Sequence, residues 1–273
     1  MFPVEQYIAQ FSGKDISLSV HDLESGREIN LRADESYHPA STVKTHLMME
    51  AFRQAHAGQL SLDDPLTIFN SFPSIADGSP YSLNATDDSE TTLYERIGET
   101  ESIRELTRLM IVRSSNLATN ILFQRIGAKR INEFIAELGI QGVSFIRGMY
   151  DLPALKNGMN NRGTARGLTQ TMRLIAEGKI ISKEVSDEMI EILLGQEFIE
   201  SIPHLLPTGT RVAHKTGWSD DFYHDTGIVF PANRKPYAIS IMTRGFPEDN
   251  GDKAHDCMAN ISKLVYEQIT GAI

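Results

Sequence analysis

Pro39-Ala40-Ser41-Thr42-Val43-Lys44-Thr45-His46-Leu47-Met48-Met49-Glu50 sets a hydroxyl and an amine three residues apart, just behind a proline. Good helix formers and apolar residues at Val43, Leu47 and Met48 predict a helix beginning here, so Ser41 and Lys44 share a face. A serine hydroxyl is inert at its free pKa and needs such a neighbouring base to become a nucleophile. The unpaired N–H groups of a helix start also favour developing negative charge. The motif alone decides little. With 22 serines and 10 lysines in 273 residues, about 0.8 Ser-x-x-Lys matches arise by chance, and a capping serine followed by a surface lysine is the blander reading.

Working outward, 41% hydrophobic and 23% charged residues describe an ordinary globular chain, long enough for one large domain or two lobes. A net charge of -10 argues against nucleic acid or anionic membrane as the main partner, because both demand a basic face. A small-molecule substrate is expected instead, and oligomeric state is left open. The single cysteine, Cys257, allows no intrachain disulfide and reads as a small core residue of the last helix. The start of the chain lacks the basic residues and apolar run of a signal peptide. No stretch approaches the roughly eighteen apolar residues of a membrane span. The expectation is a soluble, cytoplasmic chain, or a periplasmic or secreted one if a leader was trimmed.

In chain order, residues 3 to 12 fit a short helix through Val4, Tyr7, Ile8 and Phe11. Ile16 to Val20 and Glu28 to Leu31 alternate around a Ser25-Gly26 turn, predicting a β-hairpin. From residue 41 to about 200 the signals are nearly all helical, apart from residues 69 to 100, whose Ser, Pro, Asp and Asn content reads as a long surface loop. Strand patterns return at Arg211 to Lys215, Thr226 to Phe230 and Tyr237 to Thr243, and an amphipathic helix from about Lys253 to Ile269 closes the chain. Two hairpin strands need more sheet to be stable. The economical assembly is an α/β (α+β) fold in which both ends of the chain build one five-stranded antiparallel sheet flanked by the terminal helices. Residues 1–40 plus 205–273 then form the sheet lobe, and 41–204 an inserted all-helical lobe. Ser41 falls where the chain leaves one for the other, and such boundaries favour clefts.

Two further stretches bear on Ser41. Arg113-Ser114-Ser115-Asn116-Leu117-Ala118-Thr119-Asn120 breaks two helices, and its Ser-x-Asn pattern alone fits a helix N-cap. His214-Lys215-Thr216-Gly217-Trp218 ends a strand, and from 10 lysines, 18 threonines and 20 glycines only about 0.05 Lys-Thr-Gly matches are expected by chance.

Taken together, Ser41-Thr42-Val43-Lys44, Ser114-Ser115-Asn116 and Lys215-Thr216-Gly217 resemble the three signature motifs of class A β-lactamases and penicillin-binding proteins, in the same order and on a helix start, an inter-helix turn and a strand. The resemblance spans nearly the whole chain, including the split sheet, the segment Glu101 to Leu106 and the Asn120 that follows the second motif. It implies a serine hydrolase in which Ser41 is the nucleophile, Lys44 its base and Ser114 the group that passes a proton to the leaving nitrogen. It also implies an oxyanion site formed by the backbone N–H groups of Ser41 and Trp218. Lys215 and Thr216 would offer positive charge and a hydroxyl to a substrate carboxylate, Gly217 would line the substrate site beside them, and Asn116 would hold the substrate amide. Lys44 serves as a base only if its pKa is lowered, for which burial and a nearby cation such as Lys215 are the expected means. No cofactor is implied.

Three departures matter. Class A β-lactamases release the acyl-enzyme with a loop glutamate, whereas here no glutamate lies between Glu137 and Glu177, and Asp151 is the one carboxylate in that interval. Asp151 is either a shorter substitute base or an aspartate that fixes the loop, and in the second case acylation outruns deacylation. Ser115 stands where an aspartate usually steadies the second motif. Trp218 puts an indole where a small residue is usual, to narrow the substrate range, stack on a ring or pack at the strand end. Arg244 is a further candidate for a substrate carboxylate, while His214 and His224 read as structural. No His-Glu-x-x-His spacing suggests zinc, and no Gly-x-Ser-x-Gly elbow suggests an α/β-hydrolase. The expected activity is β-lactam opening through a Ser41 acyl-enzyme. The alternatives are a D-alanyl peptidase or esterase, and a penicillin-binding protein that stays acylated.

Overall fold

Ile16, Leu18 and Val20 alternate with Ser17 and Ser19 along strand β1 (Asp15–Asp22), and both sets are buried. A strand with two buried faces needs cover on each side. The computed structural model, which describes residues 3–246 and 251–271, shows how that cover is supplied. Two compact units divide the chain: residues 1–42 with 163–273, and residues 43–162.

In the first unit, β1 sits in a five-stranded sheet with β2 (Glu28–Leu31), β7 (Arg211–Ser219), β8 (Phe222–Phe230) and β9 (Tyr237–Arg244), in the order β2-β1-β9-β8-β7. Every pairing is antiparallel. On one face Ile16, Leu18, Val20, Ile239 and Ile241 join a core with Val4 of α1 (Pro3–Ile8) and with Cys257, Met258, Ile261 and Val265 of α9 (Asp252–Thr270). Cys257 is thus the core residue expected, and burial pushes its thiol up to about 12. On the other face α7 (Ala165–Ala176) packs on β1, β8 and β9, and α8 (Lys183–Leu194) packs on β7. Several small hydroxyl residues on that side are satisfied internally: Thr169 Oγ1 donates to the Ser19 carbonyl at 3.0 Å, and Thr226 and Ser240 share a 2.6 Å hydrogen bond.

These contacts move a boundary. Residues 163–204, read from their helical periodicity as part of the inserted lobe, fall in the sheet unit. An amphipathic period reports that a helix has an apolar face but not what that face covers.

The second unit is built around α2 (Lys44–His56), which packs on α3 (Ile103–Val112), α4 (Asn116–Ile126) and α5 (Ala128–Glu137). Ten of its residues are buried, Lys44, His46 and Glu50 among them. The unit is not all-helical. Strands β3 (Pro65–Thr67) and β6 (Thr100–Ser102) pair at the two ends of the stretch read as loop, and β4 (Phe72–Pro73) and β5 (Pro80–Tyr81) form a short ribbon within it. A further short helix, α6 (Leu152–Lys156), follows Asp151. Ser102, Ser115 and Asp151 cap α3, α4 and α6, each accepting the backbone N–H three residues on. Among the described residues no helix is long and apolar enough to cross a membrane, and no group of His, Cys, Asp and Glu could hold a metal ion.

Candidate active site

Within residues 1–42 and 163–273, the Ser41 turn meets the third motif. Ser41 lies in a 3-10 turn, Ala40–Val43, that runs directly into α2. Ala40 opens it at φ 47, a left-handed conformation that costs a non-glycine residue roughly 1–2 kcal/mol. Strand β7 passes against this turn so closely that a Cβ at Gly217 would lie 2.6 Å from the Ser41 nitrogen and 2.9 Å from that of Thr42. Both are backbone atoms, so any side chain at this position would have to displace the strand or the turn, and glycine is the residue that fits without strain.

Beside Gly217, Lys215 is fully buried and its Nζ donates to the Thr216 carbonyl at 2.8 Å. The Thr216 hydroxyl is buried with no hydrogen-bond partner among the described residues. Trp218 is 42% exposed and makes a T-shaped contact with Phe198, ring centroids 5.1 Å apart, so the indole is partly packed and partly open to solvent.

Within residues 43–162, Lys44 meets the second motif. Its Nζ donates to the Ser114 carbonyl at 2.6 Å and to Asn116 Oδ1 at 2.8 Å, and lies 3.4 Å from the Ser114 hydroxyl. Ser114 holds a left-handed φ of 57, which turns its carbonyl and hydroxyl toward the one amine. Complete burial draws the Lys44 pKa down to about 7. The charge acting on it is the Asp88 carboxylate, which opposes the shift. Burial is therefore the cause, rather than burial joined to a nearby cation. At neutral pH a large fraction of Lys44 is free amine, as a general base requires.

Asp151 lies elsewhere in that unit's network. It is wholly buried, and its carboxylate accepts from Ser74 Oγ at 2.6 Å, Ile75 N at 3.0 Å and Ala154 N at 3.1 Å. Three donors on one carboxylate pin the loop to the segment around Ser74. Asn120 holds the same loop, accepting from Met149 N at 2.7 Å and donating to Met149 O at 3.0 Å.

Three other residues from the sequence reading are engaged. The Arg244 guanidinium is paired with Asp15, its register partner on β1. His214 Nδ1 sits 3.0 Å from Asp225, and His224 Nε2 sits 2.8 Å from the His38 carbonyl, both deep in the sheet unit. Burial lowers the His224 pKa to about 4, which keeps that imidazole neutral.

Sequence reasoning missed Asp88. Its carboxylate accepts from the backbone N–H of Asn116, at 3.0 and 2.9 Å, and of Leu117, at 2.9 Å. Asp88 is 28 residues before Asn116, too far for any local capping signature to expose it.

A model of the beta-lactamase enzyme family matches residues 3–269. Beta-lactamase BRO-1 of Moraxella catarrhalis is 23% identical over 251 residues, covering 89% of this chain and 76% of that protein. The β-lactamase of Sphaerobacter thermophilus has a TM-score of 0.83 at 23% identity, over 99% of this chain and 97% of that one. A variant of PBP-A, solved as its acyl-enzyme complex with penicillin G, has a TM-score of 0.82 at 24% identity, over 98% and 95% of the two chains. At these identities the structural likeness carries the fold.

Proposed function

The chain belongs to the beta-lactamase enzyme family, and from that premise we propose that it is a serine hydrolase that opens a β-lactam amide through an acyl-enzyme on Ser41, with slow release of the acyl group. The observation that supports this most is Lys44: a fully buried amine with a pKa near 7, held by Ser114 and Asn116, one helical turn after the serine.

In this reading the free amine of Lys44 takes the proton of Ser41 as Oγ attacks the carbonyl carbon. The N–H groups of Ser41 and Trp218 receive the oxyanion; one such donor is worth about 2.7–4 kcal/mol of barrier. When the ring C–N bond breaks, the Ser114 hydroxyl protonates the nitrogen and is itself reprotonated from Lys44. The substrate carboxylate is received by Lys215 and by the unpartnered hydroxyl of Thr216. The substrate amide lies against Asn116, and the exposed part of Trp218 bounds the substrate.

Slow release follows from Asp151. Its carboxylate already accepts three hydrogen bonds and is fully buried, which favours the role of loop anchor over that of a base for water. Acyl-enzyme should then accumulate, so the protein behaves more like a penicillin-binding protein than a fast β-lactamase.

The test is a burst assay with a chromogenic cephalosporin, with intact-protein mass spectrometry on the same time scale and Ser41→Ala alongside. The expected result is about one equivalent of rapid colour, a mass adduct on Ser41 that decays slowly, and neither in the variant. No colour and no adduct would overturn the reading, while fast steady turnover without an adduct would overturn slow release alone.

A further inference from the structure

The second motif lacks an internal carboxylate, because Ser115 occupies the middle position and its hydroxyl only caps Ala118 N at 3.1 Å. The start of α4 nevertheless presents the unpaired N–H groups of any helix N-terminus. They are met by Asp88, which comes from the loop before the 3-10 turn Thr92–Arg96. Both of its oxygens accept from Asn116 N, one accepts from Leu117 N, and the Tyr94 hydroxyl donates to the carboxylate at 2.9 Å. The Glu90 N–H closes a local turn on the same side chain at 3.2 Å. Five hydrogen-bond contacts converge on one half-buried carboxylate.

We propose that Asp88 is the positioning residue of the second motif, holding the first turn of α4 so that Asn116 Oδ1 and the Ser114 carbonyl stay on the Lys44 amine. The geometry carries this: the backbone that Asp88 holds belongs to the residue whose side chain holds Lys44 at 2.8 Å. Two consequences follow. Moving the carboxylate misplaces Asn116 and Ser114. Removing its charge also leaves Lys44 facing only the neutral Ser114 and Asn116 within residues 43–162, without the one carboxylate that supports its ammonium form. Asp88 thus does from a distant loop what the middle residue of the motif does not.

This rests on the proposed acylation of Ser41, and two readouts separate the two ideas. The first is the rate of adduct formation with the chromogenic cephalosporin across pH, for the wild type, Asp88→Glu and Asp88→Asn. Asp88→Glu, with its charge kept and its carboxylate displaced, should acylate at least fivefold more slowly with an unmoved pH midpoint. Asp88→Asn should acylate at least tenfold more slowly with the midpoint moved to lower pH. Adding Ser115→Asp to Asp88→Asn should restore part of the rate. The second readout is the NMR titration of Lys44 in lysine-labelled protein, assigned with Lys44→Arg, which needs no substrate. Asp88→Asn should lower its midpoint. No adduct on the wild type would sink the acylation reading and leave the titration to judge Asp88. An unshifted Lys44 titration in Asp88→Asn, or acylation within twofold of wild type in either variant, would overturn the proposal. Failure of both variants to fold would also overturn it, since Asp88 would then serve the fold rather than the site.

Discussion

Lys44 Nζ donates to the backbone carbonyl of Ser114 at 2.6 Å, and both residues are buried. A lysine so placed is held in position by a group that does not titrate, while burial makes its proton easy to lose. Its pKa near 7 has two measurable consequences.

The first concerns rate. Acylation needs the free amine, so its rate constant should fall roughly tenfold per unit below pH 7 and level off above it. Adduct formation followed by rapid-mix mass spectrometry reads this directly. A flat profile between about pH 5 and 8 would remove Lys44 as the base.

The second concerns stability. The folded pKa, about 7, lies below the ordinary lysine value of 10.5. Between those values the unfolded chain binds a proton that the folded chain lacks, so this residue's contribution to stability rises with pH across the window. Wild type should gain on Lys44→Met by at most about 1.4 kcal/mol per pH unit from pH 7 to 10. Denaturant midpoints of the two proteins at several pH values measure the gap, and a constant gap would contradict the buried amine.

Asp151→Asn should weaken the tie to Ser74 and Ile75 and destabilise the protein by about 1–3 kcal/mol. The decay rate of the Ser41 adduct should stay within threefold of wild type. Decay abolished at unchanged melting temperature would instead make Asp151 the deacylation base.

Gly217→Ala places a methyl against the Ser41 and Thr42 nitrogens at 2.6 and 2.9 Å. Both contacts are backbone, so the strand or the turn must move, at about 1–3 kcal/mol. The expected result is a folded protein of lower melting temperature whose acylation falls at least a hundredfold. Acylation within threefold of wild type would show that the turn tolerates the shift.

Thr216→Val replaces a buried, unpartnered hydroxyl by a methyl of similar shape. Stability should be unchanged or slightly higher, since no internal hydrogen bond is lost. The KM for a carboxylate-bearing β-lactam should rise about tenfold, with little change for an ester lacking the carboxylate. Equal effects on both substrates would place Thr216 away from the carboxylate.

Most elements of the fold were legible in the chain because their signals are local. The helices Ile103–Val112, Asn116–Ile126 and Lys183–Leu194 lie in the stretch whose signals are helical, and each starts behind a serine that caps it. The sheet strands were found, but β7 and β8 run on to Ser219 and back from Phe222, past the residues where alternation of apolar and polar types stops. Their pairing with each other, not their composition, extends them. The ribbons between Pro65 and Ser102 were hidden for the same reason, since strands of two or three residues have no period to read.

The three motifs could be found because each is a few residues long and their joint order is rare. Which groups surround them could not, because hydrogen bonds and burial are set by residues far apart in the chain. The donors to Asp151 from Ser74 and Ile75 come from 77 and 76 residues away, and Asp88 reaches Asn116 across 28. One carboxylate that reads as a possible base already accepts three backbone and hydroxyl donors, and another that reads as loop filler holds a helix start. A side chain's type and spacing are properties of the sequence. Its pKa and the number of its oxygens left unengaged depend on the water removed and the donors brought within about 3 Å, and folding alone determines those.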